Sequence, residues 1–295
     1  NSGTIRCPLC RASLENSMKR KLIFGYQMLA DLENNETAHI LALIAIGVCV
    51  HYKNSYGESC LHIALAEGLT DIALALIAAG ADVNGKNRKG YSCLYVALTK
   101  GFTDIALALI AAGADVNAKY KYGASDDPIT PWDRSCFHVA MTKGLADVAL
   151  ALIAEGANVN IQDNCGCTSL HYFRCSNTAL FQTLLSKGVN PYTRDHSGYN
   201  AFHSAVWTGN VEVVLMFIMN GIDIDTPHID GGTGLHIASG KGDIDTVQCL
   251  LAGGANPYLK NWHDQTPLDL ATNKEVRELL RKALLDKSKI GRAHV

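Results

Sequence analysis

The chain has 295 residues, and 26 Lys and Arg stand against 28 Asp and Glu, a formal net charge of −2; 48% of the residues are hydrophobic. That composition excludes a disordered chain, and the charge gives no global attraction to nucleic acid or to an anionic membrane surface. The longest apolar run, Ile105 to Ala114, is far short of the roughly 20 residues of a membrane span, and the polar opening with Arg6 does not read as a secretory leader.

Residues 1–18 stand apart from the rest of the chain. They contain Cys7-Pro8-Leu9-Cys10-Arg11. One Cys-x-x-Cys supplies only part of the tetrahedral set that a structural zinc needs, so the plain reading is a tail with two ordinary cysteines and no metal or cofactor. The stretch also resembles the last ligand pair of a RING finger, a zinc module that recruits ubiquitin-charged enzymes. On that resemblance Cys7 and Cys10 are weak metal candidates in a truncated zinc-module remnant. From Lys19, the residues Leu22, Ile23, Tyr26, Leu29 and Leu32 recur at three- and four-residue spacing and predict a helix. Asn34-Asn35 breaks it, and His39 to Ile46 then runs into Gly47.

Beyond residue 54 the chain repeats itself. Leu69 to Asn84 return at 102–117 with Phe102 for Leu69, and again at 145–160 with changes at Ala146, Val148, Glu155 and Asn158. Weaker copies end at Gly188, Gly221 and Gly254. The spacing is 33 residues from Gly80 to Gly113, 43 to Gly156, 32 to Gly188, and 33 twice more. A second landmark keeps phase: Gly57-Glu-Ser-Cys-Leu-His62, Gly90-Tyr-Ser-Cys-Leu-Tyr95, Ser135-Cys-Phe-His138, Gly166-Cys-Thr-Ser-Leu-His171, Gly198-Tyr-Asn-Ala-Phe-His203, Gly231-Gly-Thr-Gly-Leu-His236 and Asp264-Gln-Thr-Pro-Leu-Asp269. Self-similarity at a fixed period decides the architecture before any other signal.

This landmark resembles the Gly-x-Thr-Pro-Leu-His of the ankyrin repeat, and the resemblance covers about residues 20 to 285. It implies an all-α ankyrin-repeat solenoid of stacked helix-turn-helix pairs with projecting β-hairpin loops. By phase, the repeat domain is 19–287: an N-terminal cap at 19–53, repeats at 54–86, 87–119, 120–162, 163–194, 195–227 and 228–260, a C-terminal cap at 261–287, and a tail at 288–295.

Local signals agree with that frame. Ser59 and Ser92 are placed to cap first helices, and Asp71 and Asp104 to meet the positive end of second helices. Gly80 and Gly113 end those second helices. Repeat three carries a ten-residue insertion, Ala124 to Asp133, whose two prolines and acidic pairs predict neither helix nor sheet. Repeat four is one residue short, and His171 to Asn177 lacks the glycine that ends a first helix; distorted packing is expected there. Val276, Leu279, Leu280, Leu284 and Leu285 among charged residues predict a capping helix.

Cys60, Cys93 and Cys136 share one repeat slot. Stacked helices lie about 8–10 Å apart, beyond the reach of a disulfide, which predicts reduced thiols and a cytoplasmic, reducing compartment (the host cytosol for a pathogen effector). His62, His138, His171, His203 and His236 all hold the histidine slot, where the resemblance implies a structural bond to the adjoining repeat. No nucleotide, metalloprotease or hydrolase motif occurs. The expected function is therefore a non-enzymatic, monomeric module that binds a protein partner with acidic and apolar groups in a concave groove across repeats two to five, with neither nucleic acid nor membrane involved. The alternative is the substrate-recruiting part of a RING-type ubiquitin ligase whose catalytic zinc domain lies upstream. The family's binding slots map onto Tyr56, Arg88, Lys89, Tyr91, Lys100, Tyr122, Lys143, Trp207 and Trp262, and Trp132 joins them from the insertion. Lys86, Arg88, Lys89, Lys100, Lys119, Lys121, Arg134 and Lys143 form an expected basic stripe.

Overall fold

The computed structural model describes residues 37–45, 50, 53–122 and 132–292; the side chains of 120–122, 132–133 and 286–292 lie outside that description. The chain divides into two compact units, residues 1–126 and 127–295. The first holds α1 (Thr37–Ala45), α2 (Cys60–Glu67), α3 (Thr70–Ala78), α4 (Cys93–Lys100), α5 (Thr103–Ala111) and strand β1 (Lys119–Tyr122). The second opens with strand β2 (Trp132–Ser135), α6 (Cys136–Lys143), α7 (Ala146–Ala154), a 3-10 turn (Ser169–Tyr172) and α8 (Thr178–Ser186). It continues through α9 (Ala201–Thr208), α10 (Val211–Met219), α11 (Gly234–Lys241), α12 (Ile244–Ala252), α13 (Pro267–Leu270) and α14 (Lys274–Arg292).

Within each unit the helices form two layers, as an all-α repeat stack requires. In the first unit α2 packs on α4 and α3 on α5; in the second, α9 packs on α11 and α10 on α12. The repeated alanines make this stacking possible. Ala64, Ala73, Ala97, Ala106, Ala140 and Ala149 are fully buried, alongside leucines at Leu61, Leu76, Leu94, Leu109 and Leu152. Small side chains let helix axes approach, and the larger ones fill the space between.

Each first helix starts and stops on its own residues. The hydroxyls of Ser59, Ser92 and Ser135 accept the amides of His62, Tyr95 and His138. Gly68, Gly101, Gly144, Gly209 and Gly242 take the left-handed conformation at the other end and return their N–H to last-turn carbonyls. Second helices in the first three repeats have no side-chain cap, so Asp71, Asp104 and Asp147 act only through charge in the first turn.

Repeat four departs as its sequence predicts. Without the terminating glycine its first helix shrinks to the 3-10 turn, and Phe173 leaves it in extended conformation. Aromatic rings fill the space: Phe173 meets Phe181 edge-on at 5.3 Å, Phe181 meets Phe217 at 5.0 Å, and Phe217 meets Phe202 at 6.1 Å. The insertion needs one correction. Trp132 and Asp133 lie in strand β2 rather than in irregular chain, since both follow the last proline, Pro131, and keep their N–H groups. Residues 123–131 lie outside the described residues. Helix α14 runs on to Arg292, past the point where the apolar pattern stops.

The repeat histidines tie neighbouring repeats together. The amides of Ser59, Thr168, Asn200 and Thr233 donate to Nδ1 of His62, His171, His203 and His236 at 3.0–3.3 Å. The matching Nε2 atoms lie 3.0, 3.1 and 3.0 Å from the carbonyls of Tyr91, Tyr199 and Gln265 in the following repeat for His62, His171 and His236, and 2.9 Å from that of Thr226, at the end of its own repeat, for His203. An amide only donates and a carbonyl only accepts, so each ring is the neutral Nε2–H tautomer. His138 keeps the Nδ1 bond to Ser135, but its buried Nε2 reaches no carbonyl at hydrogen-bond geometry.

Burial pushes these imidazoles below the ordinary histidine value, His203 to about 4, and outweighs the opposing effect of the carbonyl bonds. In the unfolded chain they titrate near ~6.5. Between that value and the lower folded one, the unfolded chain binds more protons than the native one. Their contribution to stability is thus complete above about 6.5 and is lost as the pH falls from there toward about 4. Thermal denaturation at constant ionic strength should show Tm dropping from pH 7 to pH 5; a flat Tm across that window contradicts the tautomer assignment.

Candidate functional site

The hairpins are built on one device. Asn54, Asn87, Asp163, Asp195 and Asn261 each turn Oδ1 onto two amides of the loop, as with Asp195 and the amides of Ser197 and Tyr199 at 2.9 Å. Successive tips are then stitched by backbone. The amides of Arg88, His196 and Trp262 donate to the carbonyls of Tyr56, Cys165 and Asp230 at 3.2, 2.7 and 3.0 Å. The contact needs glycine on one side: at Gly231, φ 75°, a Cβ would meet the Trp262 ring at 2.4 Å.

In the first unit the hairpin face carries Tyr56, 68% exposed, and the exposed Arg88 and Lys89. Tyr91 is half-buried and stacks on Tyr95 at 5.0 Å. Lys100 sends its Nζ back to the carbonyl of Ala66 at 3.3 Å, joining α4 to α2. In the second unit Lys143 is exposed at the end of α6. Tyr122 and Trp132 sit in β1 and β2 with side chains outside the described residues, as are Cys7 and Cys10 entirely. Among the described residues no group of His, Cys, Asp or Glu is placed to hold a metal ion, and no helix is long and apolar enough to cross a membrane. Cys60, Cys93, Cys136, Cys165, Cys167, Cys175 and Cys249 are free thiols.

Arg134 does not belong to the basic stripe. Its side chain is only 17% exposed, with Nε 4.0 Å from the enclosed Asp163 carboxylate and the guanidinium 4.4 Å from the Tyr172 ring centroid. Tyr172 donates to the same carboxylate at 2.5 Å; burial first, then this bond, pushes the phenol's pKa up. The arginine is thereby held in a packed cluster with Asp163 and Tyr172.

Trp207 and Trp262 are 55% and 76% exposed. Trp207 lies in the last turn of α9, with Lys241 Nζ 5.3 Å from its ring centroid and also donating to its backbone carbonyl. Trp207 lines an open-sided cavity of about 300 Å³ together with Tyr172, Arg174, Asp195, Tyr199 and Thr208. A second, of about 290 Å³, is lined by His236, Ile237, Gly240 and Lys241, and shares Trp207 and Tyr199 with the first. The first cavity abuts the shortened repeat. Sequence reasoning missed Tyr172 and Arg174, although the missing glycine after His171 was the available signal.

A face of hairpin tips and first helices, built by a repeating scaffold and carrying exposed aromatics, defines a protein-interaction repeat protein. The family model for ankyrin repeats in three copies matches residues 27–120 and 137–228, and that for a single ankyrin repeat matches 230–262; the chain belongs to the ankyrin-repeat family. It is 31% identical over 137 residues to the mouse (Mus musculus) B-cell lymphoma 3 protein homolog, covering 35% of this chain and 31% of that protein. It is 30% identical over 138 residues to the chicken (Gallus gallus) nuclear factor NF-kappa-B p105 subunit, covering 39% of this chain and 14% of that protein. The chain thus spans under a third of the length of these relatives. Among solved structures it is similar to the ankyrin repeat domain of Bcl-3, described as a unique member of the IkappaB protein family, with a TM-score of 0.57 and 26% identity over 76% of this chain and 99% of that one.

The contrast between Trp207 and its neighbour Phe202 is testable. Phe202 is fully buried, so Phe202→Ala should cost about 3–5 kcal/mol of stability. Trp207→Ala removes a half-exposed ring and should change stability by no more than about 1 kcal/mol. Urea unfolding of both variants measures the difference; equal losses would make Trp207 a packing residue.

Proposed function

We propose that the chain is a non-enzymatic, monomeric binding module, with residues 19–287 as the repeat domain, and that it grips a protein partner on the face formed by hairpin tips and first helices. The observation that carries this reading is Trp207, a large ring left 55% exposed that lines two cavities on that face. Tryptophan is among the residue types that dominate binding energy when a partner desolvates them. Tyr56, Arg88, Lys89, Tyr91, Lys100, Tyr122, Trp132, Lys143 and Trp262 are the further contact residues of the proposal, and their chemistry suits a partner with acidic and apolar groups. Free thiols suit a reducing compartment such as the cytoplasm.

Binding kinetics with a partner isolated on the intact chain separate the contributions. Exposed lysines act mainly on encounter, so Lys89→Glu with Lys143→Glu should slow association and flatten its salt dependence. Trp207→Ala should speed dissociation and weaken binding by about 2 kcal/mol or more. A partner that binds both variants like the wild type contacts some other surface.

A further inference from the structure

The cavity beside the shortened repeat contains a guanidinium with no ion-pair partner among the described residues. Arg174 follows the 3-10 turn and is half-buried. One of its N–H groups donates to the Thr208 hydroxyl at 3.1 Å; among the described residues no carboxylate pairs with it, and its remaining donors make no hydrogen bond to protein. Burial works against its charge. The acid in the same cavity is otherwise engaged: Asp195 holds the amides of Ser197 and Tyr199 on Oδ1, and the Cys167 thiol lies 3.8 Å from Oδ2. So the cavity has a free planar donor group on one wall, aromatic rings at Tyr199 and Trp207, and one fixed negative charge.

We propose that this cavity is a subsite for the carboxylate of an aspartate or glutamate on an extended segment of a protein partner, with an adjacent apolar side chain laid on Trp207. This deepens, and rests on, the reading of this face as the binding surface. The guanidinium fork matches a carboxylate with two parallel hydrogen bonds. Asp195 disfavours a doubly charged phosphate more than a singly charged carboxylate. An extended segment fits better than a free small acid, because Tyr199 and Trp207 line both this cavity and the second one. There Gly240 faces open space, a Cβ built on it meeting nothing within 4 Å, beside the apolar Ile237. Side chains of an extended segment can occupy both cavities along the shared tryptophan.

Random linear peptides displayed on phage and selected on the full chain test this directly. Selected sequences should carry Asp or Glu next to an aromatic or aliphatic residue. Replacing that acid by its amide in a synthesised winner should weaken binding to the wild-type chain about tenfold or more. Arg174→Gln should bind acid and amide forms alike, and Arg174→Lys should recover part of the preference. The amide comparison on the wild-type chain stands even where a variant misfolds. An amide form that binds equally well, an enrichment without acids, a failure to enrich any peptide, or displacement by inorganic phosphate at lower concentration than by acetate would each overturn the proposal. Peptides that need Trp207 but show no acid preference remove the carboxylate subsite and leave the binding surface standing. Peptides indifferent to both Trp207→Ala and Arg174→Gln remove both.

Discussion

A buried imidazole that accepts from its own helix start and donates to the next repeat is the interaction on which the stacking depends. Helices of about two turns have little stability alone, and their alanine-rich faces supply close approach rather than large buried side chains. His62, His171 and His236 add a directional bond between one repeat and the next, His203 adds one to Thr226 at the end of its own repeat, and each ring satisfies a buried helix-start amide. The bond also sets where each hairpin sits, because in three of the four cases the accepting carbonyl, that of Tyr91, Tyr199 or Gln265, belongs to the residue before a first-helix cap.

The arrangement changes around repeat four. His138 lacks the second bond, the following first helix is reduced to a 3-10 turn, and the neighbourhood is held instead by Arg134, Asp163 and Tyr172. Buried ionic clusters contribute little net stability. Just past the shortened helix, Arg174 reaches Thr208. A local loss of helix thus adjoins both the distinctive packing of the second unit and the cavity beside Trp207, and the regular histidine bonds resume at His171.

Much of this was legible in sequence because the period carries it. The thirty-three-residue spacing gave helix pairs; the serines, the glycines and the histidine slot gave their starts, stops and ties, and these recur in the structure except for the tie expected of His138. The exposed tryptophans came from their slots. What escaped depends on where long side chains go after the backbone is placed. Arg134 occupies a hairpin slot, yet Tyr172 of the next repeat supplies a ring for it. Lys100 occupies a groove slot, yet an α2 carbonyl lies within its reach. Arg174 lies where the repeat pattern itself fails, so no slot existed to assign it to. The strand at Trp132 and Asp133 escaped because the prolines before it dominated the reading of the insertion.

The histidine bridge is tested most directly by long-range ¹H–¹⁵N correlation spectra of the imidazole rings in the native chain near neutral pH. The account predicts that His62, His171, His203 and His236 are neutral with the proton on Nε2, and that His203 keeps this state down to a pH not far above 4. Rings protonated on Nδ1, or averaging between tautomers at neutral pH, would contradict it.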